Sequence, residues 1–293
     1  VYYKLHAAAN IMNRKKTTTL RTYFISALVI LVISALTAMS SVIPGLQDHA
    51  KTDVFIAAMG VVILFFVIYN HQFVRYSIRK NEKDLYIQHS QIQSLFSLYS
   101  LIDFTYPLPP MRKWVISPDL ATIIYTEIKR HQPNLVVELG SGVSSIIGGY
   151  CLKGFKDAHL VSFEHDESCA NASKNNILMH GLDDIVGIKY APLKEMYFQD
   201  KRYLWYDISS VEFDRSIDIL IVDGPPQRLC KNVRFPALPM LIDHLSRDAL
   251  IIIDDANRTY EKQMISEWLS MYPDFGYKKY ETEKGTVILK RGE

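Results

Sequence analysis

Residues 113 to 293 predict an α/β fold: a doubly wound, mostly parallel sheet of seven strands ending in a C-terminal antiparallel hairpin. Three observations carry this. The runs at 135–139, 159–164, 217–222 and 249–253 are apolar along most of their length instead of alternating, as a parallel sheet covered on both faces requires. Helical patterns separate most of the runs. The two last runs, 275–280 and 286–290, are joined by a turn around Lys284-Gly285 that is too short for a helical crossover, so they must pair antiparallel. An N-terminal transmembrane helical hairpin over 22–74 and a connecting helix with its linker over 75–112 are expected to precede this domain.

The 293 residues leave room for one full domain and an appendage. Lysine and arginine number 33 against 31 acidic residues, so no global charge points to a nucleic-acid partner. Cys151, Cys169 and Cys230 lie far apart without C-x-x-C spacing, which suggests a reducing compartment and argues against a zinc site or a disulfide framework.

The chain does not open with methionine, and Met12-Asn13-Arg14-Lys15-Lys16 reads as a natural start; residues 1–11 are therefore left out of the fold. Residues 22–43 contain no charge and, at about 1.5 Å per residue, match the roughly 30 Å hydrocarbon core. Pro44-Gly45 ends this run, a polar loop follows, and residues 54–69 form a second uncharged run that 70–74 extend. A cleaved signal peptide is the rival, but its apolar core is usually about 7–15 residues. Arg14, Lys15, Lys16 and Arg21 precede the hairpin and Arg75, Arg79, Lys80 and Lys83 follow it, whereas the loop holds Lys51 beside Asp48 and Asp53. The positive-inside rule then places the N-terminus and the following domain on the cytoplasmic side of the lipid bilayer.

Residues 75–103 lack proline and glycine and carry Ile78, Leu85, Ile92, Leu95, Phe96, Tyr99 and Ile102 at mostly helical spacing. This amphipathic helix is expected to pack on its own domain. Pairing with a second copy and lying on the bilayer are the alternatives.

A proline-rich linker at 106–110 marks the domain boundary. Ser117-Pro118-Asp119 supplies an N-cap, a first-turn proline and an acid near the positive helix end, for a helix reaching about 131. Strands are predicted at 135–139, 159–164, 185–190, 217–222 and 249–253, with helices at 143–153, 167–180, 235–245 and 260–271 between or after them.

The first strand passes through Glu138 and breaks at Gly140-Ser141-Gly142 into a helix start. Glycine permits a sharp bend and close ligand approach, and the free amides of the helix end attract an anionic or zwitterionic group. A dinucleotide-binding turn begins in the same way, but its third glycine would fall at Ser145. The pattern acid, x, Gly, x, Gly resembles the first motif of class I S-adenosylmethionine-dependent methyltransferases, and the terminal hairpin agrees with their seven-stranded sheet. The resemblance covers roughly residues 113–293. It implies S-adenosyl-L-methionine as cofactor, with Glu138, Gly140, Ser141 and Gly142 at its amino-acid end and Glu164 accepting both ribose hydroxyls. His165 and Asp166 would cover the adenine or cap the next helix. Asp223 is a further cofactor contact.

Asp223 and Asp254-Asp255 end neighbouring strands, and three such carboxylates repel one another unless a cation or donor compensates. They suit magnesium, calcium or manganese as metal ligands. Asp-Gly after one strand and Ile-Asp-Asp after the next resemble the metal-dependent sugar O-methyltransferases of the macrocin type, in which a metal holds substrate oxygens and lowers the pKa of the attacking hydroxyl. This chain departs from that pattern: Pro225 stands where a further acid is expected, and Ala256 where the catechol enzymes have asparagine. Acids acting as hydrogen-bond acceptors without metal remain the other reading. Asp223 is the first candidate to orient or deprotonate the nucleophile, and Asp255 the second.

Arg228, Arg234 and Arg258 follow the fourth and fifth strands, either as phosphate or carboxylate ligands or as surface residues. Trp205-Tyr206-Asp207, expected in a loop, either walls the pocket or packs in the core. The expected function is a membrane-anchored, cytoplasm-facing O-methyltransferase for a sugar of a cell-surface glycan, a lipid-linked precursor or another small hydroxyl acceptor. A catalytically inactive membrane scaffold and an NAD-dependent oxidoreductase are the rivals.

Overall fold

A computed structural model describes Ser34 and residues 48–111 and 115–292. The chain forms two compact units, Val1–Asp84 and Leu85–Glu293. Apart from Ser34, the expected first crossing at 22–43 and the Pro44-Gly45 turn lie outside the described residues.

Helix α1 (Asp48–Leu101) joins the expected second crossing and the connecting helix into one element of 54 residues. No proline interrupts it, so nothing ends the helix where the sequence turns from apolar to charged near Arg75. Among the described residues it is the single helix long and apolar enough to cross a membrane. Val61, Ile63, Leu64, Phe65, Phe66, Val67 and Ile68 are exposed along its first part. Its length, about 80 Å at ~1.5 Å per residue, far exceeds a bilayer core.

In the second unit only the end of α1 is covered. Leu98 and, just after the helix, Ile102 are buried, and Gln91 Nε2 donates to Asp119 Oδ2 at 2.7 Å. Leu85, Ile92, Phe96 and Tyr99 stay exposed, so the expected packing of a whole apolar face is confined to the last turns.

The domain proper begins with α2 (Pro118–His131), β1 (Leu135–Leu139), α3 (Val143–Leu152), β2 (His159–Glu164), α4 (Glu167–Met179) and β3 (Val186–Tyr190). After β6 (Ile217–Val222) come a short α5 (Ala237–Leu241), a 3₁₀ turn, β7 (Leu245–Ile253), α6 (Thr259–Met271), β8 (Phe275–Tyr280) and β9 (Thr286–Arg291). The sheet order is β3-β2-β1-β6-β7-β9-β8. The pairs from β3 to β7 are parallel, and β9 lies antiparallel to both β7 and β8.

Successive side chains explain the continuous apolar runs. Val136, Ile219 and Ile252 face a core shared with Ile124, Ile128, Ile146 and Ile147, whereas Val137, Leu220 and Ile251 face one shared with Phe235, Leu238 and Trp268. Both faces are covered, so both sets must be apolar.

Two elements differ from expectation. The helix expected at 235–245 is one turn of α-helix and a 3₁₀ turn, because β7 begins earlier than predicted, at Leu245. A second, two-stranded sheet, β4 (Leu193–Phe198) paired antiparallel with β5 (Lys201–Tyr206), occupies what was read as loop. Its turn residues Gln199 and Asp200 both adopt positive φ, at 47° and 61°. Asn-Gly or Asp-Gly is the usual sequence sign of such a turn, and it is missing here.

Candidate functional site

The chain leaves β1 for β2 and β3 on one side and returns to β6 on the other, so strand order reverses between β1 and β6. Ligands of open α/β sheets bind at the carboxyl ends of the strands at such a point. A cavity of about 740 Å³ opens there, lined among others by Gly140, Ser141, Glu164, His165, Tyr206, Asp223 and Asp255. Its size is within the range of about 300–1,000 Å³ usual for small-molecule sites.

Gly140 makes the bend. Its φ is 99°, and a Cβ there would stand 3.3 Å from the Gly224 nitrogen, so both the conformation and the close approach of the β6 end require glycine. Gly142 has φ 173°, which is extended backbone, and a Cβ would meet open space. Its amide donates to Ser145 Oγ at 3.1 Å, and it is absent from the cavity lining.

Glu138 stands elsewhere than expected. It is fully buried under the turn and accepts a short hydrogen bond from the Ser145 hydroxyl, so it supports the bend from below and does not line the cavity. Burial pushes its pKa up to about 6, against the pull of the neighbouring serine hydroxyls, of which Ser145 is hydrogen-bonded to it.

Glu164 lies at the cavity wall with only 5% exposure. Its Oε2 accepts the Ser141 amide at 3.1 Å and its Oε1 the Asp166 amide at 3.0 Å, with His165 Nδ1 2.8 Å from Oε1. Burial would raise its pKa, but His165 and these two amides together hold it below the ordinary value. The carboxylate therefore stays ionised, with acceptor capacity left for a ligand. Asp166 caps α4 by accepting the Cys169 amide at 3.0 Å while also lining the cavity.

The acids after β6 and β7 are held by basic residues. Arg234, 4% exposed, donates through Nη2 to the Asp223 carbonyl at 2.6 Å and to Asp255 Oδ2 at 3.0 Å, and lies 3.4 Å from Asp223 Oδ1. Its Nε and Nη1 reach the carbonyls of Pro225 and Asp254 at 3.3 and 3.2 Å. Arg258 Nη1 meets Asp255 Oδ2 at 2.8 Å. Lys284 Nζ meets Asp254 Oδ2 at 3.2 Å and the Val115 carbonyl at 3.0 Å.

Asp223 and Asp255 line the cavity, whereas Asp254 is turned away from it at 1% exposure. Burial, and next the charge of Asp254, push the Asp223 pKa well above the carboxylate range despite Arg234 and Lys284. Burial would lower the Lys284 pKa, but Asp254, Asp223 and Asp255 outweigh it and keep the ammonium charged.

Single carboxylate oxygens of Asp223, Asp254 and Asp255 lie within 4.8 Å of one another, a spacing a metal ion could bridge. A cation is already in place. Arg234 occupies the space between Asp223 and Asp255, with Arg258 on Asp255 and Lys284 on Asp254. A divalent ion would have to displace the guanidinium.

Three features were misread or missed in sequence. Arg234 is an internal strut that also lines the cavity, not a surface arginine. Lys284, seen as part of a turn, reaches Asp254 across the end of the sheet. Tyr206 comes from β5, is 3% exposed, and aims its hydroxyl, which has no hydrogen-bond partner, close to Gly224 at the cavity wall. Trp205 beside it lines a separate cleft with Met196, Ile208 and Phe213.

No curated protein sequence matches the chain. A methyltransferase from Geobacter sulfurreducens is similar in structure, with 18% identity over 61% of this chain and 82% of its own, at a TM-score of 0.46. An O-methyltransferase from Bacillus cereus, crystallised with SAH, has 15% identity over 70% and 91%, at 0.48. TomG from Streptomyces achromogenes, crystallised with SAM, has 15% identity over 69% and 89%, at 0.46. Independently, the family described as a methyltransferase domain matches residues 137–256. That span, which is similar to the methyltransferase-domain family, holds the glycine turn, Glu164, Asp223 and the Asp254-Asp255 pair.

Proposed function

We propose that the cavity binds S-adenosyl-L-methionine and that the protein transfers its methyl group to a hydroxyl. The observation that carries this reading is the placing of Glu164 and Asp223 on the wall of one cavity, either side of the Gly140 bend. The ionised Glu164 supplies acceptor oxygens for a ribose diol. The start of α3 behind Ser141 suits a carboxylate.

The bound sulfonium supplies an already activated methyl group. The protein's task is then to align the acceptor and take its proton. With the donor bound, Asp223 would take the proton of the acceptor hydroxyl as its oxygen gains the methyl group. Arg234 fixes the Asp223 carbonyl and carboxylate, and the Arg258–Asp255 pair shapes the acceptor side. No step needs a metal.

The acceptor we infer is a sugar or another small hydroxyl compound of a cell-surface glycan or lipid-linked precursor. What supports it is α1, whose exposed apolar first part suits a bilayer anchor. The uncharged run at 22–43 and the basic residues flanking the two runs support two crossings with the domain on the cytoplasmic side. The exposed Leu85, Ile92 and Phe96 support pairing with a second copy.

Calorimetry with S-adenosylhomocysteine tests the cofactor. Binding to the wild type, weakened about tenfold or more in Glu164→Ala, is expected, since a lost charge-assisted hydrogen bond costs at least ~1.4 kcal/mol. No binding to the wild type ends the reading. Transfer of a labelled methyl group into the glycan or lipid fraction of a lysate tests the acceptor, and label found only in protein would refute it.

A further inference from the structure

We infer that Arg234 takes the place of a divalent cation, so that this site works with an internal guanidinium where a metal would otherwise be needed. Three relationships support this. The carboxylate oxygens of Asp223, Asp254 and Asp255 come within 4.8 Å of one another, the spacing of a metal-ligand set. Three acids this close repel unless a cation is placed among them. The cation present is Arg234: its Nη2 alone meets Asp255 Oδ2 at 3.0 Å, lies 3.4 Å from Asp223 Oδ1 and donates to the Asp223 carbonyl at 2.6 Å.

A surface arginine would not be built in this way. Arg234 is 4% exposed, and Nε and Nη1 also bond the carbonyls of Pro225 and Asp254. One planar group thus ties the end of β6 to the end of β7. A metal would perform the same tie through oxygen ligands, whereas guanidinium performs it with fixed, forked donors and a permanent charge. Lys284 on Asp254 and Arg258 on Asp255 add two further cations beside these acids, next to the buried Glu261.

Arg234 is a positioning residue, acting through Asp223 and Asp255. The inference rests on the proposed methyl transfer only for its consequence in catalysis; metal binding itself is measured without an acceptor or cofactor. The test uses the full chain in detergent, dialysed against chelator and titrated with manganese chloride while electron paramagnetic resonance follows the free aqua ion. The wild type should leave the signal as in buffer. Stoichiometric uptake that Asp255→Asn abolishes would overturn the inference.

Two variants then separate a charge substitute from a mere strut. Arg234→Lys keeps a cation and should take up no manganese, whereas Arg234→Met leaves the acids undercompensated and should take it up. A folded Arg234→Met that binds none would show that Arg234 does not stand in for a metal. Should that variant fail to fold, the wild-type titration still decides. S-adenosylhomocysteine affinity is measured in parallel with and without chelator. A change of about tenfold would also overturn the inference. Absence of any nucleoside binding would instead reject the proposed function and leave the manganese result standing.

Discussion

Lys284 Nζ stands 3.2 Å from Asp254 Oδ2, so the turn between β8 and β9 closes over the end of β7. The Ala256 amide donates to the Gly285 carbonyl at 2.9 Å and the Asn257 amide to the Lys284 carbonyl at 3.2 Å, which fix the same turn. The C-terminal hairpin is thereby part of the site's support.

Replacing Lys284 by Met should leave Asp254, 1% exposed, as an unpaired buried charge. Breaking a buried pair by removing one partner costs about 3–5 kcal/mol, and the partial exposure of Lys284 puts this one at the lower end. Adding Asp254→Asn removes the orphaned charge and should restore part of the loss. Urea unfolding of both variants measures this, and a single-variant loss below about 1 kcal/mol would refute the pairing.

Glu138 gives a pH signature. Its folded pKa is raised from 4.5 to about 6, so the folded state binds the proton more tightly than the unfolded chain. That contribution is fully present below about 4.5 and is lost as pH rises through about 6, an amount on the order of 2 kcal/mol. Glu138→Gln, which keeps an acceptor for Ser145, should not show this loss. Melting temperatures of the two proteins from pH 4.5 to 7 check it: parallel curves would mean that Glu138 is ionised throughout.

The two glycines of the bend should differ. Gly140→Ala forces a Cβ into a left-handed conformation against the Gly224 nitrogen at 3.3 Å and should cost about 1–2 kcal/mol or more. Gly142→Ala has extended φ and open space and should cost clearly less. Equal losses in chemical denaturation would contradict this bend geometry.

Tyr206→Phe removes a buried hydroxyl that has no hydrogen-bond partner. Stability should change by less than about 0.5 kcal/mol or improve, because no bond is lost on removing the group. Affinity for S-adenosylhomocysteine should still fall severalfold if the hydroxyl serves the ligand. A stability loss with unchanged affinity would assign Tyr206 to packing alone.

The strands and the acids at their ends were legible because a covered parallel strand must be apolar along its length and a ligand-facing strand end is polar. Glu164 and Asp223 stand at strand ends by that rule, and Gly140 by the need for a sharp bend. The β4–β5 hairpin could not, since Gln199-Asp200 is an uncommon pair for positive φ and the strand residues are mixed in character. Tyr206 therefore reads as a loop residue in sequence. The continuity of α1 through Arg75 was hidden for a related reason: polarity changes there, but helix propensity does not.

Sequence by itself determined the strands of the seven-stranded sheet, the antiparallel ending, the bend at Gly140 and the acids at the strand ends, because each follows from local backbone limits and from which faces must be dry. Only the tertiary structure decided that Glu138 lies beneath the bend and that Arg234 and Lys284 reach the aspartates. Pairing between residues 11 to 30 positions apart depends on where folded strands bring their ends, and no local pattern records that distance.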